Sequence, residues 1–229
     1  MNVKTKRSNP RRLLLPTVLF AVVVLPAALS LPAVAEPVLK DVEENGSSAA
    51  DGTIEGHEYV DLGLSVKWAT CNMGVSSPEK YGNYYAWGET ETKNYYIGDY
   101  CETWEKEIGD IGGTDRDVAH VKWGGSWRLP TEKEVDELCD NCIWTWTTRE
   151  GVDGYKVTSK KNGKSIFLPA AGTLYETSLY GAGEYGLYWN SAPLEDGNYL
   201  AYSISFDSGD YKRGGGFRCW GASVRPVSE

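Results

Sequence analysis

From His57 onward, apolar residues recur in short stretches that glycines and polar turns separate, which predicts short antiparallel strands. Two pairs of stretches predict hairpins: residues 58–62 with 65–71 around Gly63, and residues 155–158 with 165–168 around Asn162-Gly163. An Asn-Gly pair between apolar runs is the strongest short hairpin signal, because both residues adopt positive φ at low cost.

A longer strand is predicted near the end of the chain. Over residues 199–207, every second residue from Leu200 to Phe206 is large and apolar, while the residues between them are small. Ser208–Asp210 then forms a turn toward a last strand that ends at residues 224–227. The alternation predicts that this strand is buried on one face and exposed on the other.

The sequence also indicates two helices. Thr131 and Glu134 form a Thr-x-x-Glu capping box, which satisfies backbone amides at a helix start. Apolar residues follow at helical spacing and predict one buried face: Val135, Leu138 and Cys142. Thr114 and Asp117 form a weaker cap that predicts a short helix over residues 118–122. Two helices among many strands predict an α+β domain with short antiparallel strands and long loops.

The first 35 residues have the pattern of a signal peptide: several basic residues, an apolar run from Leu13 to Leu31, and the small-x-small sequence Ala33–Ala35. We therefore expect export to the cell surface or the medium, with no membrane insertion after cleavage; a retained membrane anchor is the alternative. Residues 36–56 contain no aromatic residue and predict a flexible linker. Residues 57–229 predict one domain.

Charge narrows the choice of partner. The chain has 23 Lys and Arg against 32 Asp and Glu, a net charge of −9. Residues 1–35 hold five of the basic residues and no acidic one, so cleavage raises the acidic excess to 14. Because nucleic acids and anionic membranes bind basic patches, the sequence does not predict either as a partner.

Six motifs are spread over residues 57–229: Tyr59–Asn72 (YVDLGLSVKWATCN), Tyr84–Glu89 (YYAWGE), Trp127–Thr131 (WRLPT), Phe167–Gly172 (FLPAAG), Tyr188–Ser191 (YWNS) and Ser223–Val227 (SVRPV). Together they resemble the Fibrobacter succinogenes major paralogous domain family. The resemblance implies a secreted or surface protein of Bacteroidetes-like bacteria with a C-type-lectin-like fold. In that fold the chain ends lie close together, and a long irregular region forms the binding face.

The WRLPT motif is interpreted as a structural corner between a strand and a helix. Its residues and the glutamate of the capping box are Trp127, Arg128, Leu129, Pro130, Thr131 and Glu134. Pro130 pre-sets the helix entry and Thr131 caps it. We expect Trp127 and Leu129 to be buried, and Arg128 to reach a carboxylate or backbone carbonyls.

The sequence offers little for catalysis. The two histidines, His57 and His120, lie apart, and neither Gly-x-Ser-x-Gly nor a phosphate-binding loop occurs. The Cys139-x-x-Cys142 pair lacks a second ligand pair for zinc, and it lies at the end of the predicted helix, where the dipole does not activate a thiol. We therefore predict a non-catalytic protein without a cofactor or metal site, with buried thiols or at most two disulfides.

Two alternatives stay open. Trp123–Trp127 and Gly216–Cys219 are similar to short stretches of formylglycine-generating enzymes, which share the C-type-lectin-like fold and use a pair of copper-binding cysteines. Cys219 stands alone in its segment, so that pair is incomplete there. The resemblance also allows a variable protein of a diversity-generating retroelement, in which residues near the C-terminus vary.

Tyrosines are dense among small polar residues between Gly172 and Trp220. Such a composition is typical of recognition surfaces, and aromatic faces also stack on sugar rings; half-buried packing is the alternative. We predict a binding or adhesion module for a glycan or a surface protein, with the following ligand-binding residues: Tyr175, Tyr180, Trp189, Asn190, Tyr199, Tyr211 and Trp220. The Asp that follows Trp-Asn in calcium-dependent lectins is missing after Asn190, so calcium-dependent sugar binding is not predicted.

Overall fold

A computed structural model of the chain describes residues 49–195 and 197–229. The predicted signal peptide (residues 1–35) and the first part of the predicted linker lie outside the described residues. Within the described residues, two α-helices and twelve short strands form the α+β arrangement that the sequence predicts, and all strand pairs within the sheets are antiparallel. No helix in this part of the chain is long and apolar enough to cross a membrane.

Both predicted helices are present, as α1 (Val118–Trp123) and α2 (Glu132–Asn141). The capping box at α2 is confirmed: the Thr131 hydroxyl accepts a hydrogen bond from the Glu134 amide at 3.3 Å, and the Thr131 amide donates to the Glu134 carboxylate at 2.8 Å. Val135 and Leu138 are buried on α2 as predicted, together with Cys139, which was not predicted; the predicted Cys142 is also buried but lies at the C-cap.

Asp117 caps α1, and its buried carboxylate reaches beyond the helix. It accepts hydrogen bonds from the amides of Ala119 and His120 in α1, from Gly113 in the preceding turn, and from Leu129 in the WRLPT motif, at 2.8 to 3.2 Å. One side chain therefore fixes the start of α1 against the corner that leads into α2.

The strands are short and form four sheets. In chain order they are β1 (Gly52–Ile54), β2 (His57–Val60), β3 (Lys67–Ala69), β4 (Cys142–Arg149), β5 (Val152–Ser159), β6 (Ser165–Pro169), β7 (Thr173–Tyr175), β8 (Ser178–Tyr180), β9 (Tyr185–Pro193), β10 (Leu200–Asp207), β11 (Tyr211–Phe217) and β12 (Val227–Ser228). Their orders are β1-β2-β3-β12, β11-β10-β9, β4-β5-β6 and β7-β8. Because β12 pairs with β3, the last strand completes the sheet that the first three strands begin.

The first strand corrects the predicted domain boundary. β1 lies inside residues 36–56, the predicted linker, so the folded part begins before His57. This stretch has no aromatic residue of its own, but the indole Nε1 of Trp127 donates to the Ile54 carbonyl at 2.8 Å, and β1 pairs along β2. Trp127 is itself fully buried and His57 lies edge-on to it, so the domain supplies the aromatic contacts that hold β1.

The alternation predicted for residues 199–207 holds in only half of β10. The register shifts between Ala201 and Ser203, which is the signature of a β-bulge. Ala201 is buried before the shift, and Ser203, Ile204 and Phe206 are buried after it. The strand therefore contributes to two different parts of the core, which a period of two cannot predict.

A buried arginine connects several segments at the centre of the domain. Arg225 is only 2 % exposed, and its guanidinium donates to the Asn72 side chain and to the carbonyls of Ala69, Thr70 and Phe167, at 2.9 to 3.2 Å. Burial lowers the pKa of this guanidinium. Because the four acceptors lie in two separate segments, residues 69–72 and β6, one side chain joins the end of β3, β6 and the C-terminal segment that carries Arg225.

At the WRLPT corner, Arg128 pairs with Glu134. The two guanidinium nitrogens donate to the two carboxylate oxygens at 2.8 and 2.7 Å, as expected from the sequence. Burial acts to raise the pKa of Glu134, but the Arg128 hydrogen bonds and the Thr131 amide outweigh it and hold the pKa below its ordinary value of 4.5. Trp127 and Leu129 are buried, as expected from the sequence.

We expect Arg225→Met to lower the free energy of unfolding by about 3–5 kcal/mol, because it leaves buried carbonyls without donors. Urea unfolding followed by circular dichroism measures the loss. Arg213→Met is the matched control: its side chain is exposed and pairs with Asp136 and Asp140 on the surface, so it costs less than about 1 kcal/mol. Equal losses in the two variants would contradict the role given to Arg225.

Glu134→Gln tests the Arg128 pair through its pH dependence. A carboxylate with a depressed pKa in the folded state contributes stability that is complete above its ordinary value of 4.5 and is lost as the pH falls below it. The variant is therefore expected to be less stable than wild type at neutral pH by about 1–3 kcal/mol, and the gap closes as the solution is acidified. Urea unfolding over that pH range checks it, with exposed Glu132→Gln as the control; a gap that stays constant would refute the pair's contribution.

Candidate functional site

Four aromatic side chains form a partly exposed cluster, which we call the aromatic surface: Trp104, Tyr199, Phe217 and Trp220. Tyr199 and Phe217 are 41 % and 43 % exposed, and the two tryptophans are half-buried. The ring centre of Trp104 lies 4.9 Å from that of Tyr199 and 6.0 Å from that of Phe217, which is 5.1 Å from Trp220. Rings at these distances and angles support one another by edge-to-face and tilted contacts.

Three separate segments bring these rings together. Tyr199 precedes β10 and Phe217 ends β11, where Phe217 is the register partner of Leu200. Trp220 follows in a turn whose amide donates to the Phe217 carbonyl at 2.8 Å. Trp104 comes from a distant loop, just after a short 3₁₀ turn at Gly98–Tyr100.

Gly98 is required for the position of Trp104. A Cβ atom at residue 98 would lie 2.7 Å from the Trp104 indole, closer than side-chain carbons approach one another. The absence of that atom lets the indole lie directly on the 3₁₀ turn. The loop conformation and the ring position are therefore set together.

Arg218 holds the loop of Trp104 against the strand of Phe217. It is 1 % exposed, and its guanidinium donates to Leu200 O at 2.9 Å, Lys106 O at 2.8 Å and Thr103 O at 3.4 Å. It also lies 4.6 Å from the ring centre of Trp87, a cation–π distance. Burial lowers the pKa of Arg218. The aromatic surface thus rests on a buried cation whose donors are engaged by backbone carbonyls on both sides.

Two of the predicted binding residues lie on a neighbouring hairpin. β7 and β8 pair with each other, and Tyr175 and Tyr180 are 41 % and 53 % exposed there. The hairpin is attached through Leu174, whose amide donates to the Gly221 carbonyl at 2.8 Å, next to Trp220. Tyr175 and Tyr180 are therefore surface residues that border the segment of Trp220.

The prediction is wrong for Trp189 and Asn190, which are 1 % and 2 % exposed. The Trp189 indole donates to Tyr85 O at 2.9 Å, and the Asn190 carbonyl accepts from the Trp87 indole at 2.9 Å. The Asn190 side chain accepts from the amide of Ala192. Both residues lie within β9, which is buried along most of its length, so they are part of the core and cannot contact a ligand in this structure.

Tyr211 lies apart from the aromatic surface. Its ring stacks on Trp144 at 4.5 Å, and its hydroxyl donates to the Cys139 carbonyl at 3.3 Å. It therefore joins β11 to β4 and the end of α2, which is a packing role. Two of the predicted residues, Tyr199 and Trp220, belong to the aromatic surface. Its other members, Trp104 and Phe217, and the supporting Arg218 were not predicted.

All five cysteines are buried free thiols in the described structure: Cys71, Cys101, Cys139, Cys142 and Cys219. Burial raises the pKa of Cys139 to about 12 and those of Cys142 and Cys219 to about 11. These thiols are protonated at neutral pH, so they are poor nucleophiles in the folded state.

An acidic cleft of about 220 Å³ lies in the loop region between β3 and α1. It is lined by Gly88, Glu89, Thr90, Glu91, Glu102, Asp115 and Arg116. Its charges are largely matched within the protein, since Glu89 pairs with Lys93 at 2.7 Å and accepts from the Glu102 amide. No group of three or more His, Cys, Asp or Glu in residues 49–195 and 197–229 is arranged to hold a metal ion. The aromatic surface is therefore the stronger candidate site.

No family model, no curated protein and no solved structure matches the chain. The suspected family and the C-type-lectin-like fold thus stay predictions from the motifs.

We expect Arg218→Met to loosen the loop of Trp104 selectively. Hydrogen–deuterium exchange should show faster exchange at the amides of residues 104–106, among which Glu105 donates to Asn198 O and Lys106 to Thr103 O. Amides of the β5–β6 hairpin are expected to keep their protection. Arg213→Met is again the control. An equal rise in exchange throughout the domain would show that Arg218 acts on overall stability and not on this loop.

Proposed function

We propose that this protein is an exported, non-catalytic binding module that recognises a glycan through the aromatic surface, on a domain of C-type-lectin-like fold. The observation that carries the proposal is the group of four rings, two of them more than two-fifths exposed, held over the buried Arg218. The sheet that contains both the first strands and β12 supports the fold assignment, because it places the two ends of the domain together.

Sugar binding fits the chemistry of this surface. The apolar C–H face of a sugar ring packs on an aromatic face, and the hydroxyls at its edge need polar partners. Exposed polar residues border the rings: Glu105 and Lys106 follow Trp104, and Asn198 precedes Tyr199. The Glu105 amide donates to the Asn198 carbonyl at 3.1 Å, so these polar groups are held beside the rings.

Rigid support favours binding because less freedom is lost when the ligand arrives. The Trp104 indole lies directly against Gly98, Phe217 ends β11, and Tyr199 directly precedes β10, which pairs with β11. A surface protein is the other ligand class that such rings can serve. A glycan is preferred here because the rings are few and are directly bordered by exposed polar groups.

The double variant Tyr199→Ala, Phe217→Ala tests the proposal. Both side chains are substantially exposed, so the variant is expected to fold, which its circular dichroism spectrum and Tm would verify. Wild type is screened on a glycan array, and the affinity for the best glycan is measured by titration calorimetry. We expect the double variant to lose about five- to 150-fold in affinity, since each of the two stacking rings contributes about 0.5–1.5 kcal/mol.

Ile143→Ala is the matched control, because Ile143 is 55 % exposed on β4 and is not part of the aromatic surface. It should bind as wild type does. Glycan binding that survives the double variant would overturn the assignment of the surface. No binding to any glycan, together with capture of a surface protein that the double variant abolishes, would replace the glycan by a protein ligand.

A further inference from the structure

Each of two segments that carry the aromatic surface contains a buried cysteine. Cys101 lies three residues before Trp104, and Cys219 lies directly before Trp220. Cys101 is only 8 % exposed and Cys219 only 4 %, and both belong to one small apolar cluster with Ala86 and Tyr96. The chain thus brings two cysteines into one apolar cluster from segments that are far apart in sequence.

Backbone contacts bring these two segments to the same residue. The Trp87 amide donates to the Arg218 carbonyl at 2.8 Å, and the Trp87 carbonyl accepts from the Thr103 hydroxyl at 2.7 Å. Arg218 in turn donates to the Thr103 carbonyl at 3.4 Å. The segments that contain Cys219 and Cys101 therefore flank Trp87 and are hydrogen-bonded to each other.

The surroundings of the thiols agree with this placement. Burial raises the pKa of Cys219, and the nearby Cys101 thiol raises it further. The charges of Lys93 and Glu89 influence the pKa of both cysteines. Cys101 also lies 3.4 Å from the Thr103 hydroxyl. The two sulfur atoms share their neighbours.

The other cysteines have different neighbours. The charged groups that influence the pKa of Cys139 are Arg213, Asp136 and Asp140. Those that influence the pKa of Cys142 are Lys160 and Glu137. Cys71 contacts the hydroxyl of Thr70 at 3.3 Å. Cys139 and Cys142 also lie in one core cluster, but different charged groups surround them, whereas Cys101 and Cys219 share both a cluster and the same charged neighbours.

We propose that Cys101 and Cys219 form a disulfide when the protein folds in an oxidising compartment, and that this bond fastens the loop of Trp104 to the segment of Trp220. Secreted and cell-surface proteins keep such bonds, whereas the reducing cytosol does not. The bond closes a loop that contains most of the domain, and long loops gain most from closure in the chain-entropy model. This inference is independent of the ligand proposed above.

The chemistry is thiol–disulfide exchange with a disulfide oxidant such as oxidised glutathione. The Cys101 thiolate attacks one oxidant sulfur, which forms a mixed disulfide and releases one oxidant thiolate. The Cys219 thiolate then attacks the Cys101 sulfur, forms the protein disulfide and releases the second thiolate. The protein loses two electrons and two protons, and the oxidant is reduced to two thiols. Because both thiols are buried in the native state, the exchange takes place during folding.

The test starts from the full chain, reduced, unfolded in guanidinium and refolded with or without oxidised glutathione. Free thiols are then alkylated under denaturing conditions, and peptides are mapped by mass spectrometry without reduction. We expect one bridge between Cys101 and Cys219 after oxidative refolding, with three of the five thiols alkylated. The oxidised protein should melt roughly 10 °C above the reduced protein.

Cys101→Ser and Cys219→Ser should each lose both the bridge and the rise in Tm, whereas Cys139→Ser should keep the bridge. Wild-type peptide mapping does not depend on whether a variant folds. Five alkylated thiols after oxidative refolding, or a bridge between Cys139 and Cys142 instead, would overturn the proposal.

Discussion

The interior of this domain depends on guanidinium groups that satisfy backbone carbonyls far from water. Much of the chain between its short strands is irregular, so many of its carbonyls have no partner in a sheet or helix, and burial without a donor would cost free energy. Arg225 donates to three backbone carbonyls at the centre, and Arg218 donates to backbone carbonyls below the aromatic surface. An arginine suits this task because its five donors are arranged in a fixed plane and can serve several segments at once.

A single carboxylate has the complementary task at the WRLPT corner. Asp117 accepts from four backbone amides that belong to three successive parts of the chain. Together with the pair of Arg128 and Glu134, it fixes both helices relative to the sheet that contains β12. The domain is thus organised by a few buried ionic groups, each of which organises a segment that lacks regular structure.

Local signals in the sequence were sufficient for local structure. The capping box, the Asp117 cap and the Asn-Gly hairpin depend on residues within a few positions of one another, and all three are confirmed. The aromatic surface could not be predicted in the same way, because Trp104 reaches Tyr199 and Phe217 only through the fold. Composition was also misleading at Trp189 and Asn190: a tyrosine-rich stretch contains core and surface residues alike, and only the bulge in β10 and the covering of β9 decide between them. The linker prediction missed β1 because its contacts come from Trp127.

The four-stranded sheet has a consequence for how the domain can be rearranged. Its order places β1 and β12 three strand spacings apart, about 14 Å, a distance that a short glycine-rich connection spans. New ends can be opened at the exposed Glu150-Gly151 turn between β4 and β5. A circular permutant of this kind would keep every strand pair. Its new N- and C-termini would lie at the β4–β5 turn instead of at the four-stranded sheet.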